Sequence, residues 1–453
     1  MTTNAIPARR ATSGVSLIRV RPGAVLTAIY LGGLAVLALW WHDTPPIHGW
    51  GEWLTNAGRI TGLLAGYVVI VVLALMARVP AVERGVGADR LARWHAMGGR
   101  YLVGVAAAHT ALIIWGYAVS AHEGLIRQTS DLLLHYPDVL MATVALGLFV
   151  GIGIVSARAL RRRLAYETWY YLHFYTYLAI ALSFSHEFAT GADFMSNLPA
   201  RVLWAGLYIV VGAMLVWYRF LTPFRLALRH RFRVVRVVDE APGIFSLHIG
   251  GRRLDELAIE PGQFFRWRFL CAGQWWQSHP YSLSAPPTRS LLRITVKALG
   301  DHSTALRRIP PGTRVLAEGP YGALTAARRT SPRVLLIAGG IGITPLRALF
   351  ETLPGRRGDL TLIYRANHEQ EFAFRAELDQ IARYRKAAVH YLVGPPGGPG
   401  DPFVGTRLRS LVPDVRRRDV FVCGPPPMIT AAVTALRRLG VPRRRIHTEA
   451  FEF

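Results

Sequence analysis

Four histidines stand inside long apolar runs: His95 and His109, fourteen residues apart, and His173 and His186, thirteen apart. Ionisable side chains are costly inside a bilayer and mark function where they occur there. At about 1.5 Å of rise per residue, each pair spans about 20 Å of helix axis. Helices that run in the same sense set His95 level with His173 and His109 level with His186. Two rungs of two imidazoles, each able to hold an iron axially, are what a pair of stacked b-type haems requires. A hydrogen-bonded or interfacial histidine explains one such residue, not four at matched depths. The angles are less simple: fourteen residues return a side chain to within about 40° of one face, whereas thirteen leave it about 140° away. A bend in the second helix, or haems displaced to its different sides, is therefore expected. His42, His48, His122 and His135 fall at helix ends or in outer loops and read as solvated.

A second set of residues lies in the other half of the chain. Val334–Ala338 reads as a buried strand, and Gly339-Gly340-Ile341-Gly342-Ile343-Thr344-Pro345 opens the helix after it, whose N-terminus attracts phosphate. A glycine turn alone is weak, but Val420-Phe421-Val422-Cys423-Gly424-Pro425-Pro426 supplies a second strand end. Arg365 follows the strand Leu360–Tyr364, placed to meet a 2′-phosphate and so to favour NADPH over NADH; a solvated arginine is the alternative. Upstream, His279-Pro280-Tyr281-Ser282-Leu283-Ser284 follows Pro261-Gly262-Gln263-Phe264 and precedes Gly300-Asp301-His302-Ser303-Thr304.

The elements that must position these residues follow from apolar patterning. With 51% hydrophobic residues and a mean hydropathy of +0.26, part of the 453-residue chain must face lipid. Six apolar runs, about 23–41, 57–77, 96–117, 139–157, 169–187 and 200–218, each approach the length that crosses a bilayer core as a helix. The first lacks a small-residue cleavage pattern and reads as a retained helix. Arg9, Arg10, Arg19 and Arg21, then Arg78, Arg84, Arg90 and Arg93, then Arg158, Arg161, Arg162 and Arg163 fall in alternate connections. The intervening loops His42–Asn56 and Phe188–Pro199 carry no Lys or Arg, so both termini are expected in the cytoplasm of a multi-pass cell-membrane protein. After a basic junction at Arg219–Arg231, strand alternation begins, as in Phe232–Val237 and Leu292–Val296. From Arg333 the pattern is strand, glycine turn, helix. The expected fold class is a multi-domain membrane protein: a cytoplasmic tail (1–22), a six-helix transmembrane bundle (23–218), a β-barrel (230–327) and an α/β Rossmann-like nucleotide domain (332–453). The net charge of +25 flanks apolar runs and forms no aromatic-interleaved stripe, which argues against nucleic acid. Cys271 and Cys423 have no partner spacing for zinc or an iron–sulfur cluster.

Six helices, matched histidines, HPYSLS, GDHS, GGIGITP, CGPP and a terminal aromatic, in that order, resemble the ferric reductase and NADPH oxidase superfamily over nearly the whole chain. Its cytoplasmic half resembles ferredoxin-NADP reductase. The resemblance implies that Tyr281 packs on the isoalloxazine of FAD, Ser282 approaches N5, and His279 with the Gly300–Thr304 turn holds the pyrophosphate. A glycine turn followed by hydroxyls offers donors to a phosphate, and a flat aromatic covers a flavin ring. Many relatives have arginine where this chain has His279. The resemblance also sets Cys423 beside the nicotinamide, Phe453 over the flavin until nicotinamide displaces it, and Arg59 where oxygen-reducing members have an arginine. Arg59 would attract superoxide or an anionic chelate, or else pair with a haem propionate or lipid phosphate. The path implied is NADPH or NADH, FAD, the His95/His173 haem, the His109/His186 haem, then an outer acceptor: oxygen, a ferric chelate, or a quinone or protein partner. The rivals are a haem-free membrane anchor for a flavin reductase, and a transporter or channel with a regulatory flavin domain.

Overall fold

The computed structural model describes residues 19–161, 163–164, 166–195, 197–398 and 400–450. Arg9, Arg10, Arg162 and Phe453, singled out above, lie outside the described residues. Chain contacts divide the protein into two compact units.

The first unit comprises Val20–Val82 and Arg90–Tyr218. Each of the six apolar runs falls within a helix or overruns its end by one or two residues: α1 (Pro22–Asp43), α2 (Gly49–Leu75), α3 (Ala88–Ala121), α4 (Val139–Ser156), α5 (Tyr166–Thr190) and α6 (Leu198–Val216). Among the described residues five spans, α1 to α4 and the segment starting at α6, are long and apolar enough to cross a membrane. The helix outside that set is α5, which dilutes its apolar residues with His173, Ser183, Ser185, His186 and Glu187. Helices α2 and α3 start about two turns before the expected positions, at Gly49 and Ala88. A helix satisfies its own backbone and so runs on past its apolar stretch, here into Asp89, Arg90 and Arg93. The expected loop His42–Asn56 accordingly shrinks to the residues between Asp43 and Gly49. An amphipathic helix, Leu125–His135, was not visible as an apolar run: it buries Gln128 and Leu132 and exposes Leu125, Ile126 and Leu134. Small residues let α4 and α5 pack closely, since Ala145 and Ala179 are buried together with Phe149, Leu102 and Val69. Beyond α6 the chain turns through a π-helical segment, Trp217–Leu221, into the helix Thr222–His230.

The second unit runs from Arg219 onward and takes in Glu83–Asp89. Its first part holds β1 (Arg233–Ala241), β2 (Ile244–Gly250), β3 (Phe264–Phe269), β4 (His279–Ser282), β5 (Leu291–Lys297) and β6 (Val315–Tyr321). They form two three-stranded antiparallel sheets, ordered β1-β2-β5 and β4-β3-β6, joined by single bridges at Leu283–Ile294 and Arg233–Arg314. The expected barrel is thus two small sheets over one core. Strand β3 shows why: Phe265, Trp267 and Phe269 alternate inward with Arg266 and Arg268 between them.

The remainder is a parallel sheet ordered β11-β10-β7-β8-β9. Its strands are β7 (Val334–Gly339), β8 (Leu360–Ala366), β9 (Ala388–Val393), β10 (Asp419–Gly424) and β11 (Ile446–Ala450), with helices α7 (Ile343–Thr352), α8 (Arg375–Arg385) and α9 (Pro426–Arg438) among their connections. Strands β7, β8 and β10 are buried along their whole length and mostly apolar because both sides of a parallel sheet are covered. Chain order reverses between β7 and β10, which opens a crevice at the carboxyl ends of these strands.

Candidate functional site

The imidazoles of α3 and α5 meet in two pairs. The ring centres of His95 and His173 lie 6.0 Å apart, and those of His109 and His186 lie 6.4 Å apart. Metal–imidazole nitrogen bonds of about 2.0 Å, plus about 1.1 Å from nitrogen to ring centre, separate two axial imidazoles on one metal by about 6.2 Å. The four residues therefore fit two haem irons. Their outer nitrogens are fixed: His95 Nδ1 lies 3.0 Å from Val72 O, and His109 Nδ1 lies 2.8 Å from Gly58 O. A ring that donates Nδ1–H to a carbonyl turns its Nε2 lone pair to the opposite side, as a ligating histidine requires. His186 Nδ1 is 3.0 Å from Thr190 Oγ1, and the Trp169 ring stacks on His173 at 5.1 Å. Helix α5 runs without a break between its two histidines.

Beside the His109/His186 pair is a cavity of about 320 Å³, lined among others by Arg59, Gly62, Gly66, Tyr117 and Glu187. The glycines make the space: a Cβ on Gly62 would stand 2.7 Å from His109 Nδ1, and one on Gly66 would stand 3.0 Å from Glu187 Oε1. Arg59 Nη1 donates to Asn56 Oδ1 at 3.2 Å. Sequence reasoning missed Glu187, which accepts from Trp204 Nε1 at 2.7 Å and Tyr208 Oη at 3.2 Å. A carboxylate inside an apolar run and next to a ligand-type histidine was the signal.

In the two small sheets, β4 lies antiparallel to β3, pairing Phe265 with Tyr281 and Phe264 with Ser282. Trp267 Nε1 donates to Tyr281 O at 3.0 Å, and burial raises the Tyr281 phenol pKa. Ser282 Oγ is buried with no hydrogen-bond partner among the described residues. Leu283 sits in the core, and Ser284 Oγ joins a buried hydroxyl chain through Thr295 to Ser246, each link 2.7 Å. The motif thus divides: Leu283 and Ser284 serve the fold, while His279, Pro280 and Tyr281 are half-buried and Ser282 keeps its buried hydroxyl unpaired among the described residues. In the neighbouring turn Ser303 Oγ receives the N–H groups of Leu299 (2.9 Å) and Gly300 (3.0 Å), and Thr304 is exposed. The His302 ring stacks on His279 at 3.8 Å.

The crevice between β7 and β10 is built from glycines. A Cβ on Gly342 would stand 2.2 Å from Cys423 O, and one on Gly424 would stand 3.2 Å from Gly339 Cα. Gly340 takes φ +52°, a conformation that glycine adopts without strain. Thr344 Oγ1 donates to Ile341 O at 3.0 Å, with Ile343 and Pro345 buried behind it; Pro425 precedes α9. Cys423 is fully buried at the end of β10, and burial holds its thiol pKa well above the usual range.

The neighbour of Cys423 on β11 is Glu449, a residue the sequence reading passed over. Its Oε2 is buried without a partner among the described residues, and burial, then Asp89, pushes its pKa up to about 8. A Cβ on Gly322 would stand 3.1 Å from both Glu449 Oε1 and the Phe264 ring, so Phe264 and Glu449 meet at Gly322. Arg365, expected at a 2′-phosphate, is buried: Nη2 donates to Gly394 O at 3.1 Å and lies 3.6 Å from Asp401. Asp401 in turn accepts the N–H of Gly397 at 2.7 Å and of Phe403 at 3.0 Å. The arginine charge is thereby engaged with the 394–403 loop.

Three family models match the chain. Residues 61–184 match the ferric reductase like transmembrane component, 243–325 an FAD-binding domain and 336–434 an oxidoreductase NAD-binding domain. Curated relatives include the ferredoxin reductase component of 3-ketosteroid-9-alpha-monooxygenase from Mycolicibacterium smegmatis, 31% identical over 233 residues, covering 49% of this chain and 65% of that one. A flavohemoprotein from Deinococcus radiodurans is 32% identical over 244 residues, covering 49% and 58%. The chain spans under two thirds of the length of these relatives. Among solved structures, the FAD/NAD binding domain of nitric oxide dioxygenase from Vibrio cholerae aligns with 25% identity and TM-score 0.41, over 49% of this chain and 98% of that one. The protein is a membrane oxidoreductase with FAD- and NAD(P)-binding domains. In domain order it is a ferric reductase/NADPH oxidase-type fusion, with a ferric reductase-like transmembrane domain ahead of the two nucleotide-binding domains.

Proposed function

We propose that this protein carries electrons from cytoplasmic NAD(P)H through FAD and two b-type haems to oxygen or a ferric chelate at the outer face of the cell membrane. The reading rests on the two imidazole pairs, spaced at 6.0 and 6.4 Å for axial ligation of one metal each. When bound, the flavin supplies the exchange between a two-electron hydride and single electrons, and the haems supply one-electron relay. His95 and His173 hold the first haem, and His109 and His186 the second. Tyr281 backs the flavin ring, and Ser282 Oγ, buried and otherwise unpaired, hydrogen-bonds its reacting edge. Gly339, Gly340, Gly342, Gly424 and Pro425 admit the dinucleotide, and Cys423 closes the wall beside the nicotinamide. All six helices, α1 to α6, cross the membrane in this reading, and the arginines of alternate connections keep both termini in the cytoplasm. Arg59 lines the cavity at the second haem and attracts an anionic acceptor or product.

A second reading, a membrane-anchored flavin reductase without haem transfer, is favoured by one observation: the curated relatives above match 49% of the chain. The reduced-minus-oxidised absorbance spectrum of the detergent-purified protein, taken with NADPH and FAD without oxygen, separates the two. Two low-spin haems reduced by NADPH, then reoxidised by air or by ferric citrate, support the first reading and identify the acceptor. A spectrum without haem bands refutes it and leaves the second.

A further inference from the structure

The His95 and His173 rings face each other with their planes 74° apart. An imidazole bound to a metal through one nitrogen turns easily about that bond, so crossed planes persist only where the surroundings hold each ring. The His95 ring is tied through Nδ1 to Val72 O at 3.0 Å. What meets His173 is an aromatic face. Trp169, one helical turn earlier on α5, stacks on it with ring centres 5.1 Å apart and planes 23° apart. A helical side chain leans toward the N-terminus of its helix, so His173 folds back onto the turn that carries Trp169.

Trp169 is itself fixed by two elements outside α5. Its Nε1–H donates to Ser156 Oγ at 3.1 Å, on the last residue of α4. The guanidinium of Arg161, in the short helix Arg158–Arg161, lies over the indole, 4.5 Å from its centre. A ring hydrogen-bonded at its edge and covered by a cation on its face cannot turn without losing both contacts. The orientation of α4 and of the Arg158–Arg161 turn is thereby passed through the indole to a ligand-type histidine. The other rung is out of reach: Trp169 is seventeen residues from His186, about 26 Å along the helix axis.

We propose that Trp169 is a positioning residue for the first haem: its indole, pinned by Ser156 and Arg161, sets the plane of the His173 imidazole and with it the crossed ligand geometry at the His95/His173 rung. This deepens the function proposed above and rests on its two haems. The angle between two axial imidazole planes sets how the iron d orbitals split in the ferric state. It is therefore read directly by electron paramagnetic resonance, without turnover, and it also bears on the midpoint potential of that haem.

The test uses the full-length, haem-loaded protein in detergent, with low-temperature resonance spectra of the ferric state and a redox titration followed by absorbance. Wild type should give two low-spin ferric signals. Trp169→Leu, which removes the stacking face, should move the low-field feature of one signal and shift the midpoint of one haem, leaving the other signal in place. Trp169→Phe keeps a ring that can stack on His173 and lie under Arg161 while losing Nε1–H, and should return the signal close to its wild-type position. Two unmoved signals in Trp169→Leu overturn the proposal and leave the two-haem reading standing. A Trp169→Phe protein that matches Trp169→Leu, whether by the same shift or by the same loss of one haem, also overturns it, because the stack then sets nothing. A wild-type protein without haem signals overturns both the proposal and the reading beneath it.

Discussion

Large apolar side chains face opposite ways in the two halves of this protein. In the helices Tyr30, Trp41, Leu203 and Ile209 each expose more than half of their surface, whereas in the sheets Phe245, Leu247, Phe265 and Trp267 expose none. Burial of apolar surface drives the second arrangement, and lipid replaces water around the first. The halves also make room for cofactors differently. The helices face two pairs of imidazoles with ring centres 6.0 and 6.4 Å apart, with Gly62 and Gly66 relieving the walls. The second half leaves polar atoms unpaired among the described residues, on Ser282 and Glu449 in strands and on His302 in a short helix, with glycines elsewhere letting backbone approach backbone. A site in lipid is thus marked by the presence of polar groups, and a site in the nucleotide domains by their missing partners.

This contrast is broken most severely at the histidines. His109→Ala or His186→Ala should remove one of two haems, halving haem absorbance, and slow reduction of the outer acceptor at least hundredfold. NADPH-dependent reduction of a soluble dye should continue; loss of both activities together would show that the halves are not separable. The reverse cut is Ser282→Ala, expected to slow flavin reduction by NADPH about tenfold to a hundredfold, the range of one hydrogen bond to a buried group, with both haems retained. Stopped-flow flavin bleaching measures it, and unchanged rates would remove Ser282 from the reacting edge.

The unpaired carboxyl gives a pH test of stability. Glu449 has its folded pKa raised to about 8, so it keeps a proton in the folded state that the unfolded chain releases. Its contribution is full below the unfolded carboxyl range and is lost as pH rises toward about 8, at up to about 1.4 kcal/mol per pH unit. Glu449→Gln should flatten the fall in thermal stability between pH 5 and 8; an unaltered slope would contradict the neutral, buried carboxyl. The smallest effect concerns coenzyme choice. Arg365→Lys should leave the NADPH-to-NADH ratio of kcat/KM within about twofold while loosening the 394–403 loop, since loss of a bidentate-capable guanidinium weakens a buried pair. Hydrogen exchange reads the loop, and a collapse in NADPH preference would return Arg365 to the 2′-phosphate.

The positions of the six long helices, the parallel strands and the glycine turns were legible in the residues themselves. Each rests on a short-range regularity: an apolar run as long as a bilayer, a buried strand, or glycine where no Cβ fits. Matched depths of His95 with His173 and His109 with His186 followed likewise from rise per residue along two helices. The amphipathic helix Leu125–His135 and the early starts of α2 and α3 escaped, because backbone hydrogen bonding continues where hydropathy stops. Arg365, expected just after its strand and at a 2′-phosphate or in solvent, lies within β8, and Asp401, thirty-six residues on, engages its charge. Glu449 beside Cys423, and His302 stacked on His279, likewise depend on how elements distant in sequence come together. Periodicity and local sterics are written along the chain; partnership between side chains is a property of the folded space, and only the tertiary structure decides it.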